Sequence, residues 1–140
     1  MKFWDSSALM PLFLAQDWTP EVEDLLANDP EVATWWGASA ECGSAAARLR
    51  RENRLTPTEE EELLDRLSWL QAASLEILPS DDVRRRTMRL IRVHSLTAAD
   101  AAQLAAAQVW AGPMRNPEFV TFDERLAMAA RLEGFRVLPT

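Results

Sequence analysis

Four acidic residues stand where chemistry could be done. Asp5 closes the short apolar run of "FWDSSAL", and Glu41 lies in "ASAECGSAAA". Asp100 lies in "TAADAAQLAAA", and Asp123 follows "FVTF". Asp100 and Glu41 are surrounded by alanines and other small or apolar residues, where an ionised carboxyl is rare unless paired. Within these segments no arginine or lysine stands in position to pair with them. If the four converge, two carboxylates 4 Å apart repel by up to about 4 kcal/mol at an effective dielectric near 20. A shared proton would relieve that repulsion, and so would a divalent cation. Oxygen-only donors suit a hard ion such as Mg²⁺ or Mn²⁺, which polarises phosphoryl oxygens. His94 is the only histidine, so a histidine-rich metal centre is excluded. It reads as a helix-end residue near the negative pole of the dipole.

Each carboxylate also has an ordinary explanation. Asp123 fits a helix N-cap. Asp100 fits the third residue of a Thr-x-x-Asp box, where the helix dipole stabilises it by about 0.3–1 kcal/mol. Glu41 could be a solvated helix residue, and Asp5 could start an Asx-turn.

The elements that would position these residues alternate between short apolar runs and longer amphipathic ones. Strands are expected over Lys2–Asp5, Glu31–Trp35, Leu75–Leu78, the "EFVTF" stretch and the closing "FRVL". A short helix is expected over Leu9–Ala15, and a second from Pro20 to Ala27, with Thr19 as cap and proline at its first position. A long helix from Gly37 to Asn53 carries Glu41. Thr56-Pro57-Thr58-Glu59 is a capping box that opens a helix to about Ala73. Ser80 caps a helix through about Val93, Thr97 caps one ending on Gly112, and Asp123 caps one ending at Gly134. This alternation predicts an α/β fold with a mostly parallel sheet covered by helices on both faces. Ligands of such sheets bind beyond the carboxyl ends of the strands, and all four acids fall there.

The 140 residues suit a single domain spanning 1–140 with a proper core. No apolar run is long enough for a membrane span, no secretory signal is recognisable, and one cysteine cannot form an internal disulfide. A cytoplasmic protein is expected. The net charge of −7 argues against coating nucleic acid by bulk attraction. Its basic residues are concentrated, however, at Arg48, Arg50, Arg51 and Arg54, and at Arg84, Arg85, Arg86, Arg89 and Arg92. Arginine suits phosphate forks as well as salt bridges, and solvated helix faces are the plainer reading of both clusters.

The segments "FWDSSAL", "WWGASAECGSAAARLRREN", "VHSLTAADAAQLAAA" and "FVTFDERLAMAARLEGFRVL", in that order, closely resemble the PIN-domain ribonucleases, and within them the toxin half of VapBC-type toxin–antitoxin modules. The resemblance implies a PIN-like three-layer α/β/α sandwich with a sheet of about five strands. It implies an acidic cluster of Asp5, Glu41, Asp100 and Asp123 around Mg²⁺, with Mn²⁺ as substitute. Asp5 and Asp100 would be ligands, Glu41 a ligand or the holder of the water, and Asp123 would complete the pocket. Ser6 and Thr121 match hydroxyl residues that support the acids. The implied activity is hydrolysis of RNA, commonly tRNA or ribosomal RNA. The implied partners are a VapB-type antitoxin and a second copy of the chain, with no membrane. At Thr97 the pattern departs from close relatives, which often carry arginine. In this frame Trp36, Arg48 and Arg51 are candidates for holding RNA, Trp36 by stacking on unpaired bases. Trp4 is expected in the core, and core packing or a dimer contact is expected of at least one of Trp35 and Trp36.

Two other classes compete. An aspartyl-phosphate phosphatase would place a second acid two residues after the first, where this chain has Ser7. A non-catalytic module would use the acidic pocket only to receive a partner's arginine.

Overall fold

The computed structural model describes residues 1–14 and 19–140. Strand β1 (Lys2–Trp4) leads into helix α1 (Ser6–Leu9) and a 3₁₀ turn (Met10–Leu12). Helix α2 (Thr19–Asn28), strand β2 (Val32–Trp35), helix α3 (Ala38–Arg51) and helix α4 (Pro57–Ala73) follow. Strand β3 (Leu75–Ile77) precedes helices α5 (Asp81–Val93) and α6 (Ala98–Ala111). Strand β4 (Glu118–Val120), helix α7 (Glu124–Leu132) and strand β5 (Arg136–Leu138) complete the order.

All five strands are parallel, in the order β3-β2-β1-β4-β5. The alternation of side chains along each strand builds the two cores. Phe3, Ala33, Phe119 and Val137 face α5, α6 and α7 on one side. Trp4, Val32, Val120 and Leu138 face α1, α2, α3 and α4 on the other. Helices therefore cover both faces, giving the expected three layers. Phe3 stacks on Phe119 with ring centroids 5.6 Å apart. Trp4 is fully buried, as expected. Four alanines of α6 (Ala101, Ala105, Ala106 and Ala107) are inaccessible to solvent. Their small side chains let the helix lie close against the sheet, which brings its first turn near the strand ends.

Local signals set the helix starts. Thr56 and Glu59 form the reciprocal capping box. Ser80 and Thr97 each accept the amide three residues on. Gly112 ends α6 at φ +47°, a conformation that glycine adopts without a Cβ penalty. Two expectations need correction. The first helix begins at Ser6 rather than Leu9, because Asp5 itself caps it, and its helical course gives way to the 3₁₀ turn at Pro11. The expected end of that helix, Ala15, lies outside the described residues. Thr19, expected as a cap, is the first residue of α2.

His94 ends α5, as expected, but it is more than a terminus. Its Nε2 lies 2.8 Å from Glu133, which also accepts from Arg89 and Gln108. Burial works against the Glu133 carboxylate, yet the His94 and Arg89 partners hold it below its ordinary range. The cluster ties α5, α6 and α7 together. Most other arginines of α5 are occupied locally: Arg84 pairs with Asp81, and Arg85 and Arg86 with Asp82. No described helix is long and apolar enough to cross a membrane.

Candidate functional site

The strand order reverses around β1, which has β2 on one side and β4 on the other. Such a reversal opens a crevice at the carboxyl ends of the strands, and Asp5 is the first residue beyond β1 there. Its backbone NH donates to Val120 O of β4 (3.1 Å), which locks it between the two strands. Its side chain caps α1, with Oδ1 accepting from Ser7 Oγ (2.8 Å) and Ala8 N (3.3 Å), and Oδ2 from Ser7 N (3.3 Å). Only 3 % of Asp5 is exposed. Burial pushes its carboxyl up to about 7, against the opposing pull of the hydrogen bonds from Ser7, Thr121 and Ala8.

Glu41 lies in the first turn of α3. Burial raises its carboxyl above the ordinary range, Gln103 and Ser6 pull it back by hydrogen bonding, and the charge of Asp100 raises it further. Glu41 and Asp100 therefore sense one another across the gap between α3 and α6. Cys42, next along α3, links this pair to Asp5: burial and the charges of Glu41 and Asp5 push its thiol up to about 12. Asp5, Glu41 and Asp100 thus follow or begin elements at one edge of the sheet, and Gln103, one turn after Asp100, reaches Glu41.

Asp123 is placed differently. It caps α7 by accepting Leu126 N at 2.8 Å, the ordinary role open to it from the sequence. A relay of hydroxyls joins it to Asp5. Ser7 Oγ lies 3.3 Å from Thr121 Oγ1 and accepts Phe122 N at 2.9 Å, while Thr121 Oγ1 accepts Asp123 N at 3.1 Å. Thr121, itself buried, supports both ends. Ser6 serves Glu41, whereas the hydroxyls serving Asp5 are those of Ser7 and Thr121.

Among the described residues, no ion pair neutralises Asp5, Glu41, Asp100 or Asp123. The donor set is thus all oxygen, acidic and without an internal counter-charge, which fits a hard divalent cation chemically. Among the same residues no three potential ligands are gathered at metal-binding distance in this arrangement. Ser7 and Gln103 are the site residues that sequence reasoning missed. The signal for Gln103 was an amide set between alanine and leucine in a largely apolar helix, three residues after Asp100.

Of the candidate RNA contacts, Trp36 follows β2 at the carboxyl edge of the sheet, whereas Arg48 and Arg51 lie in the last turn of α3. Trp36 is 51 % exposed and meets Trp35 edge-on with ring centroids 6.5 Å apart. Arg48 and Arg51 are exposed near the end of α3, without an ion pair among the described residues, whereas Arg50 between them pairs with Glu60.

No family model and no curated protein matches the sequence. Solved structures do share its fold. The chain is similar to FitAcB from Neisseria gonorrhoeae at 17 % identity, covering 99 % of this chain and 97 % of that one, with a TM-score of 0.70. It is similar to VapC20 of Mycobacterium tuberculosis, a toxin that cleaves the sarcin–ricin loop, at 15 % identity over 92 % and 95 % of the chains, with a TM-score of 0.69. A toxin–antitoxin complex from Klebsiella pneumoniae matches at 19 % identity over 91 % of each chain, with a TM-score of 0.64. The architecture is therefore the PIN-like one that the sequence resemblance implied.

Proposed function

We propose that the chain is a divalent-metal-dependent endoribonuclease, the toxin of a toxin–antitoxin pair, acting at Asp5, Glu41, Asp100 and Asp123. One observation carries this reading: acids at the carboxyl edge of the sheet, one of them almost wholly buried, have no ion-pair partner among the described residues. A protein gains nothing in stability from such an arrangement. Its fold neighbours include a toxin that cleaves the sarcin–ricin loop and a toxin–antitoxin complex, which supports both the activity and the partner.

Asp5 and Asp100 would hold Mg²⁺ or Mn²⁺, with Glu41 as a further ligand or the holder of the attacking water. Bound there, the cation would polarise a phosphoryl oxygen of the scissile phosphodiester. The chain's own contribution is positional. The α1 amides and Ser7 fix the Asp5 carboxylate, Ser6 and Gln103 fix Glu41, and the relay through Thr121 fixes the turn that presents Asp123. Asp123, committed to its cap, would complete the pocket by its charge. Trp36, Arg48 and Arg51 would hold single-stranded RNA by stacking and phosphate contacts. A VapB-type antitoxin and a second copy of the chain are the proposed protein partners. We also propose that residues 1–140 act as one domain in the cytoplasm.

The test is cleavage of purified tRNA and ribosomal RNA fragments with Mg²⁺, Mn²⁺ or EDTA, comparing the wild type with Asp100→Asn. Metal-dependent cleavage that the variant loses while keeping its circular dichroism spectrum supports the reading. No cleavage of any RNA with either metal, or equal cleavage by Asp100→Asn, overturns it. A second reading follows from the absence of three gathered ligands among the described residues: an acidic pocket that only receives a partner's guanidinium. It predicts antitoxin binding with no metal-dependent cleavage.

A further inference from the structure

Gln103 occupies a position where the fold has no structural use for an amide. It is 1 % exposed, and its neighbours Ala101, Leu104, Ala105 and Ala106 are wholly buried. Its Nε2 donates to Glu41 Oε2 across the gap between α6 and α3. Its Oε1 is buried with no hydrogen-bond partner. An unpaired buried acceptor costs about 1–3 kcal/mol, a cost that a leucine or methionine here would avoid. The amide therefore sacrifices one group to make a single bond, and that bond goes to a carboxylate of the acidic edge. Turned over, it would set Oε1 against the Glu41 oxygen, so an ionised Glu41 dictates the orientation. The i, i+3 spacing places Gln103 on the same side of α6 as Asp100, whose charge opposes that of Glu41.

We propose that Gln103 is a positioning residue for Glu41, clamping its carboxylate beside Asp100 so that both can serve one divalent cation. The inference rests on the nuclease reading above. Loss of an outer partner of a metal-ligating side chain costs about 10–100-fold in metal affinity, and that is the effect expected here. The clamp is exerted by an interior side chain, Gln103, on a half-buried carboxylate.

Mn²⁺ binding to the full chain, measured by titration calorimetry in the absence of RNA, tests this. The proteins are the wild type, Gln103→Met, Gln103→Asn, Glu41→Ala and the double variant Glu41→Ala/Gln103→Met. Gln103→Met keeps the length but has no donor, and Gln103→Asn keeps the amide but falls short of Glu41. Both are expected to weaken Mn²⁺ by about 10–100-fold. In the Glu41→Ala background, Gln103→Met should change the dissociation constant by no more than about twofold, since residues acting through one another are not additive. An unchanged affinity in Gln103→Met and Gln103→Asn overturns the inference. An equal loss with and without Glu41 also overturns it, because Gln103 would then act through packing. The same holds if neither single variant folds cooperatively. A wild type that binds no Mn²⁺ sinks the nuclease reading and this inference together, whereas binding that ignores Gln103 sinks the inference alone.

Discussion

Asp5→Asn should make the metal-free protein more stable, and the gain should depend on pH. Asp5 sits at 3 % exposure with its carboxyl pushed from the ordinary 3.8 up to about 7 by burial. The folded chain therefore keeps a proton that the unfolded chain has already lost. Between pH 4 and 7 the unfolded state binds fewer protons, so stability falls as pH rises through that window. The interval spans about 3 pH units, each worth 1.36 kcal/mol, which gives a penalty of about 4 kcal/mol above pH 7. That is a large share of the 5–15 kcal/mol typical of folded proteins. Asparagine removes the charge and keeps a side-chain oxygen for Ser7 and Ala8, and it caps helices about as well as aspartate. The assay is urea unfolding of both metal-free proteins at pH 5 and pH 8, followed by circular dichroism. At pH 5 only about a third of the interval has been traversed, so the advantage of Asp5→Asn should grow by about 2–3 kcal/mol on going to pH 8. Mg²⁺ should close the gap at pH 8 by stabilising the wild type alone. An advantage that is absent, or the same at both pH values, would refute the argument that Asp5 is a buried, uncompensated charge.

Ser7→Ala removes the hydroxyl that donates to Asp5 and accepts Phe122 N. It should cost about 1–3 kcal/mol in urea unfolding and shift the fall in stability towards higher pH, since a bond that lowers the Asp5 carboxyl is lost. Gly37→Ala places a Cβ against the indole nitrogen of Trp35, a residue packed on both cores. Overpacking of that kind costs about 1–3 kcal/mol, and thermal unfolding together with tryptophan fluorescence would reveal it. A variant as stable as the wild type would mean that the indole moves aside freely.

The sequence by itself determined the local features. Capping residues act within one turn, so Thr56, Ser80, Thr97 and Asp123 marked their helices directly. Apolar runs bounded by polar turns marked all five strands, and βα alternation pointed to a mostly parallel sheet, which proves parallel throughout. The positions of the four acids along that order were legible for the same reason. What the linear chain could not decide was which groups meet across it. Successive residues on a helix point about 100° apart, so a choice between Ser6 and Ser7 turns on where α1 begins, and it begins at Ser6, three residues before the expected Leu9. The result is that Ser7 supports Asp5 and Ser6 supports Glu41. Gln103 looked like one polar residue in an alanine helix until α6 docked against the sheet and faced α3. The strand order, with β1 between β2 and β4, also belongs to the tertiary structure. It seats Asp5 in the crevice and buries it there. A carboxyl held near neutrality is a property of that burial, and burial depends on the packing of segments more than a hundred residues apart.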